Sequence, residues 1–78
     1  MRKRFAVVID KDPGTDFGVL APDVPGCVAV AETREEALRL FAEALVFHFE
    51  GMAESEIPEP SASVDYVEIE IPVRATIG

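Results

Sequence analysis

Seventy-eight residues, 49% of them hydrophobic, carry a net charge of −8. That length allows one small domain with a single modest core, and that hydrophobic content excludes a disordered chain. The charge is uneven: Asp10, Asp12, Asp16 and Asp23 balance Arg2, Lys3, Arg4 and Lys11, so everything from Glu32 onward carries the whole imbalance. A phosphate backbone is a poor partner for that half, and a basic protein surface is a good one.

Arg4 to Asp10 reads as a strand, with Phe5, Val7 and Ile9 on one face and Ala6 and Val8 on the other. Apolar residues on both faces predict a central strand. Residues 11–16, KDPGTD, are turn chemistry, with Pro13 fixing φ and Gly14 free to take positive φ. Asp16 to Ala21 is a second strand, and the short connection makes the pair a hairpin. Pro22, Asp23, Pro25 and Gly26 build a second, structural turn. Cys27 to Ala31 is a third short strand whose small residues suit close packing under a helix.

That helix is predicted from Thr33 to about Glu54. Thr33 can cap the first free amides, and Glu36 can reach back to the cap's own amide. Leu38, Phe41, Leu45, His48 and Met52 fall on one stripe. Glu36, Arg39, Glu43, Glu50 and Glu54 fall opposite. Leu40 and Phe47 lie hard against the acidic side, where a helix burying one face needs neither. They are either covered by long Glu and Arg stems or form a second contact surface.

Residues 55–63 are a polar, proline-bearing loop. Val64 to Val73 is predicted as the last strand, with Val67, Ile69, Ile71 and Val73 on one face and Tyr66, Glu68 and Glu70 on the other. Pro72 has no amide to donate, so its end belongs at an edge. The order β-β-β-α-β predicts an α+β two-layer domain: an antiparallel meander, a right-handed crossover through the helix, and a last strand parallel to the first. One helix covers one sheet face. The other face, with Ala6 and Val8, has no second layer within the chain, so a homodimer or larger assembly is expected.

Cys27 is the sole cysteine, which rules out an internal disulfide and fits a reducing, cytoplasmic setting. It reads as a small core residue, with no activating partner marked beyond the lone His48. The apolar run after the basic start stops at Asp10, and no stretch approaches the roughly 18–20 apolar residues of a span, so neither a signal peptide nor a membrane segment is expected. No zinc-ligand spacing surrounds His48. Asp10 is the one acid placed to serve a two-metal nuclease site, while Asp12 and Asp16 suit turn hydrogen bonding. No metal or cofactor is expected.

The ordered set FGVLAPDVPGCVAVAETREEALRLFAEAL, with IPEPS after the helix, resembles the HicB family of antitoxins. The resemblance covers nearly the whole chain. It implies a partial ribonuclease-H-like fold and a binding role, without enzymatic activity, against a small basic mRNA-cleaving toxin of the HicA type. Many family members carry a C-terminal DNA-binding segment. Only residues 74–78 follow the last predicted strand here, so the expectation is a single domain over 1–78 with no direct contact to nucleic acid. The residues expected to meet the toxin are Glu36, Leu40, Glu43, Phe47 and Glu50 on the helix and Glu68 and Glu70 on the last strand. The alternatives are a degenerate metal-dependent nuclease on the same fold, turning on Asp10, or a stand-alone oligomeric regulator of unknown ligand.

Overall fold

The structure, a computed structural model, describes residues 2–74; the ends of the single domain expected over 1–78 lie outside that range. Three strands form an antiparallel sheet in the order β1-β2-β3, with β1 at Val8–Asp10, β2 at Phe17–Leu20 and β3 at Val28–Ala31. The register pairs Ile9 with Val19 and Val19 with Ala29. One helix, α1 at Arg34–Phe49, packs across β3 and β2, and a short 3₁₀ turn follows at Glu54–Glu56. The domain is therefore α+β, as expected.

Local chemistry accounts for each junction. In the first turn the Asp12 amide donates to Thr15 Oγ1 at 2.9 Å, and the Thr15 amide and hydroxyl both donate to the Asp12 carbonyl. Gly14 sits at φ +79°, a conformation open to glycine without strain. Gly26 closes the second turn at φ +91°. Thr33 caps the helix, its Oγ1 accepting from the Glu36 amide at 3.1 Å. The helix stops at Glu50, which is extended, and Gly51 follows at φ +83°.

The core lies between α1 and the inner sheet face: Val19, Ala29 and Ala31 from the strands, Ala37 and Phe41 from the helix, and Ala21, Val24 and Cys27 from the second turn. Small side chains on both partners bring helix and sheet together, and Phe41, 2% exposed, fills the space between them. Val24 is a contributor that the turn reading misses. Its neighbours are turn formers, yet its own side chain plugs the bottom of the core. Phe5, Val7, Ile9, Leu38, Leu45 and Phe49 pack around this cluster, half-buried.

Several expectations are corrected. β1 is short and lies at a sheet edge, because among the described residues no strand pairs on its far side. The helix spans 16 residues, ending before Glu54, so Met52 is not helical. His48 is exposed, lying edge-on to Phe49 with ring centroids 5.4 Å apart. Leu45 is half-buried. Glu36 does not bond back to the cap; its carboxylate is taken by Arg39.

The largest correction is the last strand. Residues 64–73 form no ladder and stand exposed. The chain does return to the first strand: Lys3 pairs with Glu59, and Val64 and Tyr66 line one groove with Val7, Val8 and Ile9. Beyond that point β1 has ended, and Pro72 has no amide to donate.

The return is fixed by Asp23. Its Oδ2 accepts from the Ser61 and Ala62 amides at 3.1 and 3.0 Å, and its Oδ1 accepts from the Ser61 hydroxyl at 2.8 Å. These bonds, the Ala62 amide foremost, hold its carboxyl below the usual 3.8. A depressed carboxyl stabilises the clamp fully above pH 3.8 and loses that contribution as pH falls through the lower folded value. The Ser61 and Ala62 amide resonances should therefore shift together with a midpoint below pH 3.8, and Asp23→Ala should abolish that titration.

Phe41→Ala should cost roughly 2–5 kcal/mol in denaturant melts. Leu45→Ala, at a half-buried site, should cost clearly less. Equal losses would place the helix in another register.

A candidate partner-binding surface

Leu40, Glu43, Ala44 and Phe47 recur at helical spacing and therefore share one side of α1. The tight turn at Gly26 brings the start of β3 up against that side. Between them runs a groove whose walls are Gly26, Cys27 and Val28 on one side and Leu40, Ala44 and Phe47 on the other, with Glu43 and His48 at the rim. Leu40 packs half-buried on the core, whereas Phe47 is 78% exposed. Of the two sequence readings for this pair, covering by Glu and Arg stems does not describe Phe47.

Val28 continues the apolar surface around the sheet edge. In β3 the pattern is inverted from that of a solvated edge strand: Ala29 and Ala31 face the helix, while Val28 and Val30 point outward at 64% and 58% exposure. The register places Val28 across from Leu20 and Leu20 across from Val8, both also exposed. The outer sheet face is thus apolar, as the missing second layer predicts, but Val28, Val30 and Leu20 rather than Ala6 make most of it. The signal was present as large-small alternation in VAVA.

The seven sequence-predicted contact residues separate into four places. Leu40, Glu43 and Phe47 meet in the groove. Glu36 lies one turn earlier, joined to Glu43 through Arg39: Nε donates to Glu36 Oε2 at 3.0 Å and Nη1 to Glu43 Oε1 at 2.7 Å. The Arg39 hydrogen bond lowers the Glu36 pKa, and the pairing leaves the three residues with a net charge of −1. The helix face is therefore less acidic than its sequence suggests. Glu50 belongs to a different groove, near Arg2, Arg4 and Phe5. Glu68 and Glu70 lie on the unpaired arm. Pro22, Asp23, Pro25 and Gly26 form the turn beneath the groove, with Asp23 directed to Ser61 instead.

Cys27 is buried beside this groove and His48 is exposed at its rim. Among the described residues no three His, Cys, Asp or Glu side chains gather as metal ligands would, Asp10, Asp12 and Asp16 included. Among them, too, no helix is long and apolar enough to cross a membrane. The surface offers apolar contact with a charged rim, the anatomy of a protein-binding patch.

Over residues 5–72 the chain matches the family described as "HicB_like antitoxin of bacterial toxin-antitoxin system". It is 35% identical over 77 residues to Antitoxin HicB 2 of Photorhabdus laumondii, covering 95% of this chain and 55% of that one. It is 30% identical over 78 residues to Antitoxin HicB 1 of the same organism, covering 95% and 50%. A protein of Haemophilus phage HP1 without an assigned function is 41% identical over 53 residues, 65% of this chain and 40% of its own. The chain spans about half the length of these relatives. No solved structure matches it. The chain belongs to the HicB-like antitoxin family.

Proposed function

We propose that this member of the HicB-like antitoxin family neutralises a small basic HicA-type toxin by seating on the surface that the toxin uses to hold RNA. The family assigns the antitoxin role. The observation that carries the finer reading is Phe47, a large apolar side chain 78% exposed beside Val28, with Glu43, held by Arg39, at the rim of the same groove.

Division of labour follows from the energetics. Exposed aromatic residues at the centre of a patch supply affinity when they enter a pocket. Rim carboxylates steer a cationic partner and act mostly on the association rate. A toxin that grips a phosphate backbone displays positive charge, so an acidic rim competes for the same ground. Masking needs no bond making, and the domain acts as a non-enzymatic binding module in the cytoplasm, without cofactor or nucleic-acid contact of its own.

The same residues divide the tests. Phe47→Ala should weaken binding to a small basic HicA-type toxin by at least tenfold in calorimetry. Its melting curve should hold, because the side chain contributes little to the core. Replacing Glu43 and Glu50 by Lys should slow association at low salt and flatten the salt dependence. Unchanged affinity in the Phe47 variant removes the groove from the mechanism. The same slowing with Glu68 and Glu70 reversed, and none with Glu43 and Glu50 reversed, would move the charged contact to the arm.

A further inference from the structure

The strand register orders the outer sheet face into rows. Val8 pairs with Leu20 and Leu20 with Val28, so three outward side chains form one apolar row across all three strands. The next row is Asp10, Gly18 and Val30. Asp10 and Val30 are exposed, and Gly18 leaves a notch between them, where a Cβ would meet nothing nearer than the Asp10 carbonyl oxygen at 3.8 Å. The same alternation, carried one residue past the ladder, points Asp16 and Glu32 to this side of the sheet, and both are exposed. The face is therefore graded along the strands, apolar at the Val8 end and acidic at the Asp10 end.

Among the described residues, Asp10, Asp16 and Glu32 have no ion-pair partner. Their neighbours in sequence, Lys11 and Arg34, line a groove with Val7, Ile9 and Phe17, side chains that pack against the core on the opposite side of the sheet. Lys11 lies over the Phe17 ring at 5.4 Å. Arg4 shares the alternation of Val8 but lines the groove of Phe5 and Phe49, together with Arg2, Lys3 and Glu50. Asp12, exposed in the adjoining turn, adds a further carboxylate at the acidic end.

Size and charge together select an occupant. Three strands about 4.8 Å apart span about 10 Å, the diameter of one helix. On the inner face α1 is seated over β3 and β2 in the same way. A second copy laid face to face would bury Asp10 and Glu32 against its own carboxylates or against valines, and either is costly. A phosphate backbone is repelled by the same acids. A helix with an apolar stripe and a cation at one end satisfies both ends of the face. Val28 joins the two surfaces, since it ends the apolar row and also walls the Phe47 groove.

We propose that the outer sheet face seats an amphipathic helix of the basic toxin, its apolar stripe on Val8, Leu20, Val28 and Val30 and a Lys or Arg at its end over Asp10, Asp16 and Glu32. The proposal rests on the toxin-binding reading and extends its surface from the Phe47 groove, around Val28, across the sheet.

Binding of the full chain to a small basic HicA-type toxin, followed by calorimetry and by methyl NMR, tests it. In the free protein a soluble paramagnetic agent should broaden the methyl signals of Val8, Leu20, Val30 and Val46, all exposed. In the complex Val8, Leu20 and Val30 should be shielded, while Val46, in the Phe5–Phe49 groove, should stay broadened. Val8→Thr with Val30→Thr keeps branched strand residues and should keep the circular dichroism spectrum, yet weaken binding at least fivefold. Asp10→Lys with Glu32→Lys should slow association at low salt and flatten the salt dependence. Toxin binding that depends on Phe47 but leaves these methyls accessible and the Thr variant unimpaired overturns this proposal and leaves the groove reading standing. A wild type that binds no toxin overturns both. Shielding of the same methyls in the free protein as its concentration rises gives the face to a second copy and overturns the occupant. Weakening by the Thr variant with no response to charge reversal overturns the cationic end of the helix.

Discussion

A single helix must supply the whole second layer of this domain, and a helix of about 10 Å diameter cannot cover both faces of a sheet whose three strands lie about 4.8 Å apart. The chain meets that constraint on one side by making the contact short. Ala29 and Ala31 on β3 share the core with Ala37 and Phe41 on α1. Everything fixed in the structure is fixed by this contact: the register of β3 on β2, the direction of the helix, and the position at which the chain re-emerges beside Phe5. Everything left open is left open by the same limit. The outer sheet face, the β1 edge and the arm are the surfaces one helix cannot reach.

Electrostatics divides along the same line. Counting residues makes the second half of the chain strongly acidic, but placement changes what a partner meets. Arg39 lies between Glu36 and Glu43 and binds both, so the central turns of the helix present an organised network and not a bare cluster of carboxylates. Pairs this exposed contribute little to stability. They do hold the Glu43 side chain at the edge of the Phe47 groove. Among the described residues, carboxylates without an ion-pair partner include those of the arm, next to exposed Ile and Val, while Arg2 and Arg4, also without one, lie around Phe5 and Phe49.

Much of this was legible in the sequence, wherever the cause is local. Thr33 announces the helix because a cap acts on amides three residues away, and Gly14 and Gly26 announce turns because they relieve a steric clash within one residue. The α+β class and the meander follow from those signals. What was illegible depends on distant partners. Residues 64–73 alternate as a strand should, yet alternation describes a surface and not a neighbour, and among the described residues no strand pairs with them. His48 was placed on the same stripe as Phe41, but it stands exposed at the rim of the groove beside Val28. Val24 hides among turn formers because burial of one side chain leaves no periodic trace. For the contact surface, Leu40, Glu43 and Phe47 were found on spacing alone. Val28 was not, since a valine in a short strand is ordinary until its alanine neighbours are seen to take the inside.

The inversion in β3 separates two selective pressures that usually share the same residues. Ala29 and Ala31 set how closely the helix can lie, so replacements there are judged by folding. Val28 and Val30, one position away on the same strand, are judged almost entirely by what meets them from outside. Changes on the two faces should add without interfering, because the side chains share no partner. A lineage can therefore retune its outward valines to follow a drifting binding partner, one substitution at a time, without first accumulating stability to tolerate the change.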